Sequence, residues 1–177
     1  MSRLHRLSIG AVALVAVGLA GCSSASSSPT TTTSAAPPAS TVPTVPVQSP
    51  SPAGTFGTRP TVVVPTGTPP TQLESTDLIV GHGPAAKAGD NVEVQYVLAT
   101  YSSGKVVQAS WDSQPFQFAL GQGQVIPGWD DGVAGMKVGG RRELVIPPNL
   151  GYGNNAPGAG IAANDTLVFV VDMLKIN

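Results

Sequence analysis

The chain of 177 residues has one cysteine, Cys22, and two histidines, of which only His82 lies beyond the N-terminal segment. A lone thiol forms no internal disulfide. Neither a Ser-His-Asp nor a Cys-His arrangement can be assembled beyond that one imidazole, and no His/Cys cluster has metal-ligand spacing. No metal and no cofactor is expected. Charge is scarce too: Asp, Glu, Lys and Arg make up 11% of the residues, with no basic run. Phosphate neutralisation needs clustered Lys or Arg, which argues against nucleic-acid binding. Gly121-x-Gly123 lacks the third glycine of a dinucleotide loop, because Ile126 stands there, and Val106 follows Ser103-Gly104-Lys105 where a phosphate loop needs Ser or Thr. Asp130 and Asp131 are adjacent, and neighbours on a helix point apart, so they read as a capping turn rather than an acid–base pair.

What the chain has in quantity is proline, 17 residues, and glycine, 21. From Ser23 to Leu73 a run of Ser, Thr, Pro, Ala and Val holds one charged residue, Arg59. Such a segment buries little and leaves the entropy cost of ordering unopposed, so residues 22–73 read as a disordered, proline-extended tether. Before it, Arg3 and Arg6 precede an apolar run from Ile9 to Leu19, too short to span a bilayer but suited to a secretory signal over residues 1–21. The run ends in Leu19-Ala20-Gly21-Cys22, which resembles a bacterial lipobox, with Cys22 lipidated as the first mature residue. The expectation is an extracytoplasmic protein, anchored by lipid to the cell membrane or envelope. Without Arg3 and Arg6, seven basic residues face ten acidic ones, a net charge of −3.

Residues 74–177 hold all three tyrosines and both tryptophans and are long enough for one modest core. Val92, Val94, Tyr96 and Leu98 alternate with Glu93, Gln95 and Val97, the period of a half-buried strand. Phe116, Phe118 and Leu120 alternate likewise. Glu143–Ile146 reads as a short strand, and the run from Thr166 to Leu174 as a long one, nearly apolar on both faces. Arg141-Arg142 reads as a strand edge with one solvated face, and His82, between two glycines, as a solvated loop residue. One short helix starts at Pro127, a first-turn position that needs no N–H. Trp129, Val133 and Met136 fall on its sheet-facing side. Several strands and one helix make an α+β domain, an antiparallel sheet with a helix packed on it. On pattern alone Trp129 is as readily a core residue as the floor of a pocket.

Three blocks, "VEVQYV", "QPFQFALGQGQVIPGWDDGVAGMKVGGRRELVIPPNLGYG" and "NDTLVFVVDMLKI", stand in an order and spacing that resemble the FKBP-type peptidyl-prolyl cis–trans isomerases. The resemblance implies a half-wrapped antiparallel sheet of about five strands around one short helix. It implies a substrate pocket of Tyr96, Phe116, Val125, Ile126, Trp129, Tyr152, Ile161 and Phe169, with Trp129 as floor and the Tyr152 hydroxyl near the substrate carbonyl. It also implies proline-containing secreted or envelope polypeptides as partners, with macrolide inhibitors as ligands. The chain departs from the pattern where Val107 and Gln108 replace Phe-Asp, where Gln124 replaces an acidic residue, and where Ala162-Ala163 replaces Pro-Pro. Those departures imply a pocket edge with less aromatic wall and no carboxylate, hence reduced isomerase activity and reduced macrolide affinity. The alternative they support is a non-catalytic module that holds proline segments.

Overall fold

Alternation along one long strand organises the sheet. In β2 (Asn91–Thr100) Val92, Val94, Tyr96 and Leu98 join the helix-side core, while Val97 and Ala99 are buried on the opposite face. The computed structural model describes residues 49–177, so the expected signal segment, Cys22 and the first part of the tether lie outside the described residues. Around β2 stand β1 (Glu74–Ile79), β3 (Val106–Ala109), β4 (Phe116–Ala119), β5 (Arg141–Ile146) and β6 (Leu167–Ile176), paired antiparallel in the order β1-β5-β6-β2-β3. β6 pairs with β2 along nearly its whole length, so β3 and β4 share its other edge, β4 opposite Asn91–Val94 and β3 opposite Val97–Ala99. The sheet has six strands, in line with the antiparallel sheet of about five around one short helix that was expected. β1 escapes the sequence pattern because its ESTDLI run is exposed or half-buried throughout, with no apolar alternation to mark it.

The single helix, α1 (Pro127–Val133), begins with Pro127 in its first turn, as expected, and has no side-chain N-cap. It lies very close to β5. A Cβ added to Gly128 would stand 2.4 Å from Ile146 Cγ2, and one on Gly132 2.7 Å from Leu144 Cδ2. These glycines, one turn apart, make the bare stripe on which the helix rests. Asp130 does not act as a cap: its carboxylate accepts from the Gly121 and Gly123 amides, at 2.8 and 3.0 Å, and so holds the preceding loop, where both glycines have positive φ. Met136 was expected on the helix; the helix ends earlier, and Met136 is buried just beyond it.

The Arg pair is corrected by its position. β5 is an inner strand between β1 and β6, and Arg141 is fully buried there. Its guanidinium pairs with the equally buried Asp172 on β6. Arg142 pairs with Asp77 of β1 and donates to the Gly132 and Ala134 carbonyls, which fastens the C-terminal end of α1 to the sheet.

Arg141 also identifies what covers the face of the sheet opposite α1. It donates to the carbonyls of Ala53 and Thr58, at 2.8 and 2.6 Å, while the Gly57 amide donates to Asp172 and the Ser51 amide to the buried Glu143. The boundary expected at Leu73 is therefore corrected: residues 51–60, read as part of the disordered tether, form a strap across the sheet. Composition misled because the partners of this strap lie a hundred residues away, on β5 and β6. The face that meets the strap through Arg141, Glu143 and Asp172 is also the one on which Val97, Val145, Val168 and Val170 are buried, so β6 is apolar on both faces.

The glycine stripe generates a test. An exposed helical Gly→Ala change adds about 1 kcal/mol of stability, whereas forcing a methyl into a packed interface costs about 1–3 kcal/mol. Gly128→Ala should therefore lower unfolding free energy in urea by about 1–3 kcal/mol, and a neutral or stabilising result would contradict the close packing.

Candidate active site

The rings that the sequence spreads over 74 positions, from Tyr96 to Phe169, meet at Trp129. The backbone turns into α1 at Ile126, and the first helical turn directs the indole inward, where it is 4% exposed. Tyr96 and Phe169, on the neighbouring strands β2 and β6, lie edge-on to it at centroid distances of 5.3 and 5.2 Å. Phe116 and Phe118 of β4 reach it at 5.9 and 5.5 Å. T-shaped and tilted arrangements in this range add about 0.5–1.5 kcal/mol per pair beyond burial, so the indole is held by its neighbours in one orientation.

Above it opens a cavity of about 430 Å³, lined by Tyr96, Gln108, Phe116, Gln124, Val125, Ile126, Trp129, Tyr152 and Phe169. Seven of the eight residues expected to form a pocket are thus brought together. The eighth, Ile161, is not on the cavity wall; it is buried in the core beneath the 158–161 bridge. The divergent pair separates as well. Gln108 faces the cavity, whereas Val107 packs against the core, with its Cγ1 at 3.0 Å from where a Cβ on Gly160 would stand. Gln124, noted in the sequence only as a departure, is a wall residue; standing next to Val125 was the available signal. Phe118 is the ring that sequence reasoning left out of the cage, although its alternation with Phe116 placed it on a strand.

Tyr152 enters from the loop after a single 3-10 turn, Pro148–Leu150. That loop is closed by the amides of Gly151 and Gly153 donating to the Pro148 carbonyl, and Gly153 adopts φ 54°. The wall contains no carboxylate, imidazole, amine or thiol. Its titratable groups are two phenols, and burial, then the neighbouring Tyr152, raises the Tyr96 phenol above its ordinary value of 10.0. Tyr96 is therefore a neutral hydroxyl over the whole physiological range. The indole Nε1–H of Trp129 is buried and has no hydrogen-bond partner among the described residues. No cluster of His, Cys, Asp or Glu able to hold a metal ion occurs among the described residues, and no helix there is long and apolar enough to cross a membrane.

A preformed cavity walled by aromatic and aliphatic side chains, with neutral hydroxyls and amides among them, is a binding site for an apolar group carried on a polar backbone. Comparison with known proteins agrees with it. The model of the FKBP-type peptidyl-prolyl cis–trans isomerase family matches residues 83–174. The chain belongs to that family. Its enzyme class is the family's, peptidyl-prolyl cis–trans isomerase. The FK506-binding protein of Streptomyces anulatus is 51% identical over 120 residues, 67% of this chain and 97% of that protein. The probable FK506-binding protein of Corynebacterium glutamicum is 42% identical over 118 residues, 66% of this chain and 98% of that protein. Among solved structures, AtFKBP13 superposes with a TM-score of 0.55 at 35% identity, over 62% of this chain and 96% of its own. FkpA from Escherichia coli gives 0.54 at 39% identity, over 60% and 49%. The half-wrapped sheet around one helix is the fold these proteins share.

The wall composition fixes a pH dependence. A phenol with a raised value stays protonated below it, and its ionisation places a charge in the cavity. The folded state binds the Tyr96 proton more tightly than the unfolded chain, so stability is intact below about pH 10 and falls as pH rises above it. For a blocked prolyl peptide, kcat/KM should be flat from about pH 6 to 9. A bell-shaped profile centred near neutrality would require an acid or base that the wall lacks.

Proposed function

We propose that the protein speeds cis–trans isomerisation of X–Pro bonds in secreted or envelope polypeptides, and that lipid on Cys22 holds it outside the cytoplasmic membrane. The observation that carries the catalytic part is the charge-free cavity over Trp129. A prolyl bond rotates over a barrier of about 18–20 kcal/mol that is set by amide resonance. The resonance form separates charge, so an apolar surround disfavours it relative to the twisted amide, in which conjugation is lost. The proline ring rests on the Trp129 indole between Tyr96, Phe116 and Phe169, with Val125 and Ile126 at its side. The Tyr152 hydroxyl lies near a substrate carbonyl and orients the bound segment by a hydrogen bond to a carbonyl other than that of the bond that turns. Only what is bound more tightly in the twisted state counts toward the rate, and a millionfold gain corresponds to about 8 kcal/mol of such difference.

Slow prolyl isomerisation limits folding, and a catalyst on a lipid anchor meets chains as they fold beyond the membrane. The lipobox-like Leu19-Ala20-Gly21-Cys22 supports that placement. Macrolides would occupy the same cavity, with reduced affinity because Gln108 offers no carboxylate.

In a prolyl-peptide assay the soluble form beginning at Ser23 should accelerate isomerisation well above background. Tyr152→Phe should lower kcat/KM by about fivefold, the size of one net hydrogen bond. Trp129→Leu should lower it at least tenfold. Binding of the peptide without any acceleration would favour a holding module instead. For the anchor, the full chain expressed in a lipoprotein-processing bacterium should fractionate with membranes, and Cys22→Ser should release it. An unaltered chain found wholly in the soluble fraction would overturn the anchor and leave the catalytic reading standing.

A further inference from the structure

Arg59 is the only charged residue between Ser23 and Leu73, and it lies outside the stretch that the family model matches. Its guanidinium Nη1 donates to both carboxylate oxygens of Asp112, at 2.8 and 2.9 Å. Asp112 stands in the middle of the loop joining β3 to β4. The ends of that loop are pocket residues: Gln108 on β3 and Phe116 at the start of β4 both line the cavity. The loop is already bound at its start, where the Ser110 amide donates to the Tyr96 carbonyl and the Ser110 hydroxyl accepts from the Tyr96 amide. Arg59 reaches its centre.

The other end of this tie is rigid. The carbonyl of Thr58, one residue before Arg59, accepts from the buried Arg141, which is itself paired with Asp172 on β6. Pro60, one residue after, is buried, and a residue before proline is confined to extended backbone. An exposed ion pair is weak largely because two long side chains lose freedom in forming it. Here the backbone beneath Arg59 is fixed from both sides, which removes part of that cost.

We propose that Arg59 is a positioning residue for the proline pocket. Paired with Asp112, it ties the β3–β4 loop, and with it Phe116 and Gln108, to a strap anchored on the buried Arg141. This rests on the isomerase reading of the cavity and adds a residue from outside the family's own domain to it. The tie is electrostatic and solvent-exposed, so salt weakens it, which a packing contribution from the same residue would not show.

The test uses the full mature chain and an Ala-Leu-Pro-Phe peptide. Arg59→Ala at low salt should lower kcat/KM about threefold through KM, with kcat unchanged. The exchanged pair, Arg59→Asp with Asp112→Arg, should restore it. In 1 M salt, where screening acts over about 3 Å, unaltered and Arg59→Ala proteins should converge. Backbone amides of residues 111–115 should exchange faster in Arg59→Ala. Unchanged KM and unchanged exchange overturn the proposal, as does a loss that persists in 1 M salt and resists the charge exchange. An unaltered protein without turnover would remove the isomerase reading but not this one: the exchange measurement and the peptide Kd then decide, a weaker Kd with faster exchange upholding the tie and unchanged values overturning it.

Discussion

The pocket depends on how closely α1 can approach β5. Gly128 and Gly132 present no side chain to Ile146 and Leu144, and the helix sinks onto the strand until backbone and methyl groups meet. Trp129 is the residue after Gly128, so the depth of the helix sets the depth of the indole. Four rings then receive it at 5.2–5.9 Å. A helix with ordinary side chains on that stripe would stand further out, and the indole with it, leaving the cage of Tyr96, Phe116, Phe118 and Phe169 without a centre. A poor helix former at positions 128 and 132 is thus the condition for a well-placed floor. Asp130 completes the arrangement by holding the Gly121–Gly123 turn, and Arg142 by holding the far end of the helix.

Much of this was legible in the sequence, for reasons that can be named. Pro127 marked the helix start, and the spacing of Trp129 and Val133 its buried side. Alternation marked β2 and β4 because Val92, Val94 and Phe118 are buried in the core while Glu93, Gln95 and Gln117 beside them are not. The helix end was not legible: Ala134 leaves helical geometry at ψ 136° and Gly135 follows with φ 77°, so Met136 reaches the core by a turn and not by helical spacing. Nor was β1, whose side chains stay largely in solvent and which is held to β5 by the backbone ladder and the Asp77–Arg142 ion pair, with no apolar alternation. Ile161 illustrates a different limit. A matched motif assigns a residue to a region, but whether its side chain lines a cavity or fills the space behind it depends on the turn at 158–161.

The strap could not be read at all from its own residues. Ser, Pro and Gly give no amphipathic period, and its partners Arg141, Glu143 and Asp172 look like surface charges. What did register was the consequence, a β6 apolar on both faces. An antiparallel sheet with one solvated face shows polar residues at every second position, and β6 breaks that rule at Val168 and Val170 because something lies on each side of it. The matched family region begins at residue 83, so by itself it omits the strap and would leave those valines and a buried ion pair facing water. Without the strap, Arg141 and Asp172 would also lose their hydrogen bonds to the Ala53 and Thr58 carbonyls and the Gly57 amide. The folding unit of this chain is therefore larger than the family region, and it includes residues whose composition argues for disorder.

The two departures at Val107 and Gln108 bear on chemistry unequally. Val107 lies off the cavity wall, so its smaller side chain is answered by the close approach of the Gly160 backbone and not by a gap beside the ligand. Gln108 is on the wall, and with Gln124 it leaves the cavity with amides where charge could have stood. Rotation about a prolyl bond transfers no proton and forms no covalent intermediate; its barrier is the loss of amide conjugation. A wall without formal charge avoids stabilising the polar, planar form, and neutral amides can still orient the backbone of the bound segment. A carboxylate at 108 would add a field that favours the form with charge on the amide nitrogen unless it were aimed at the twisted one. Under the proposed reading, the wall of this protein would serve the reaction by what surrounds the bound ring, with Trp129 as the floor and Tyr96 and Tyr152 supplying the hydroxyl groups of the lining.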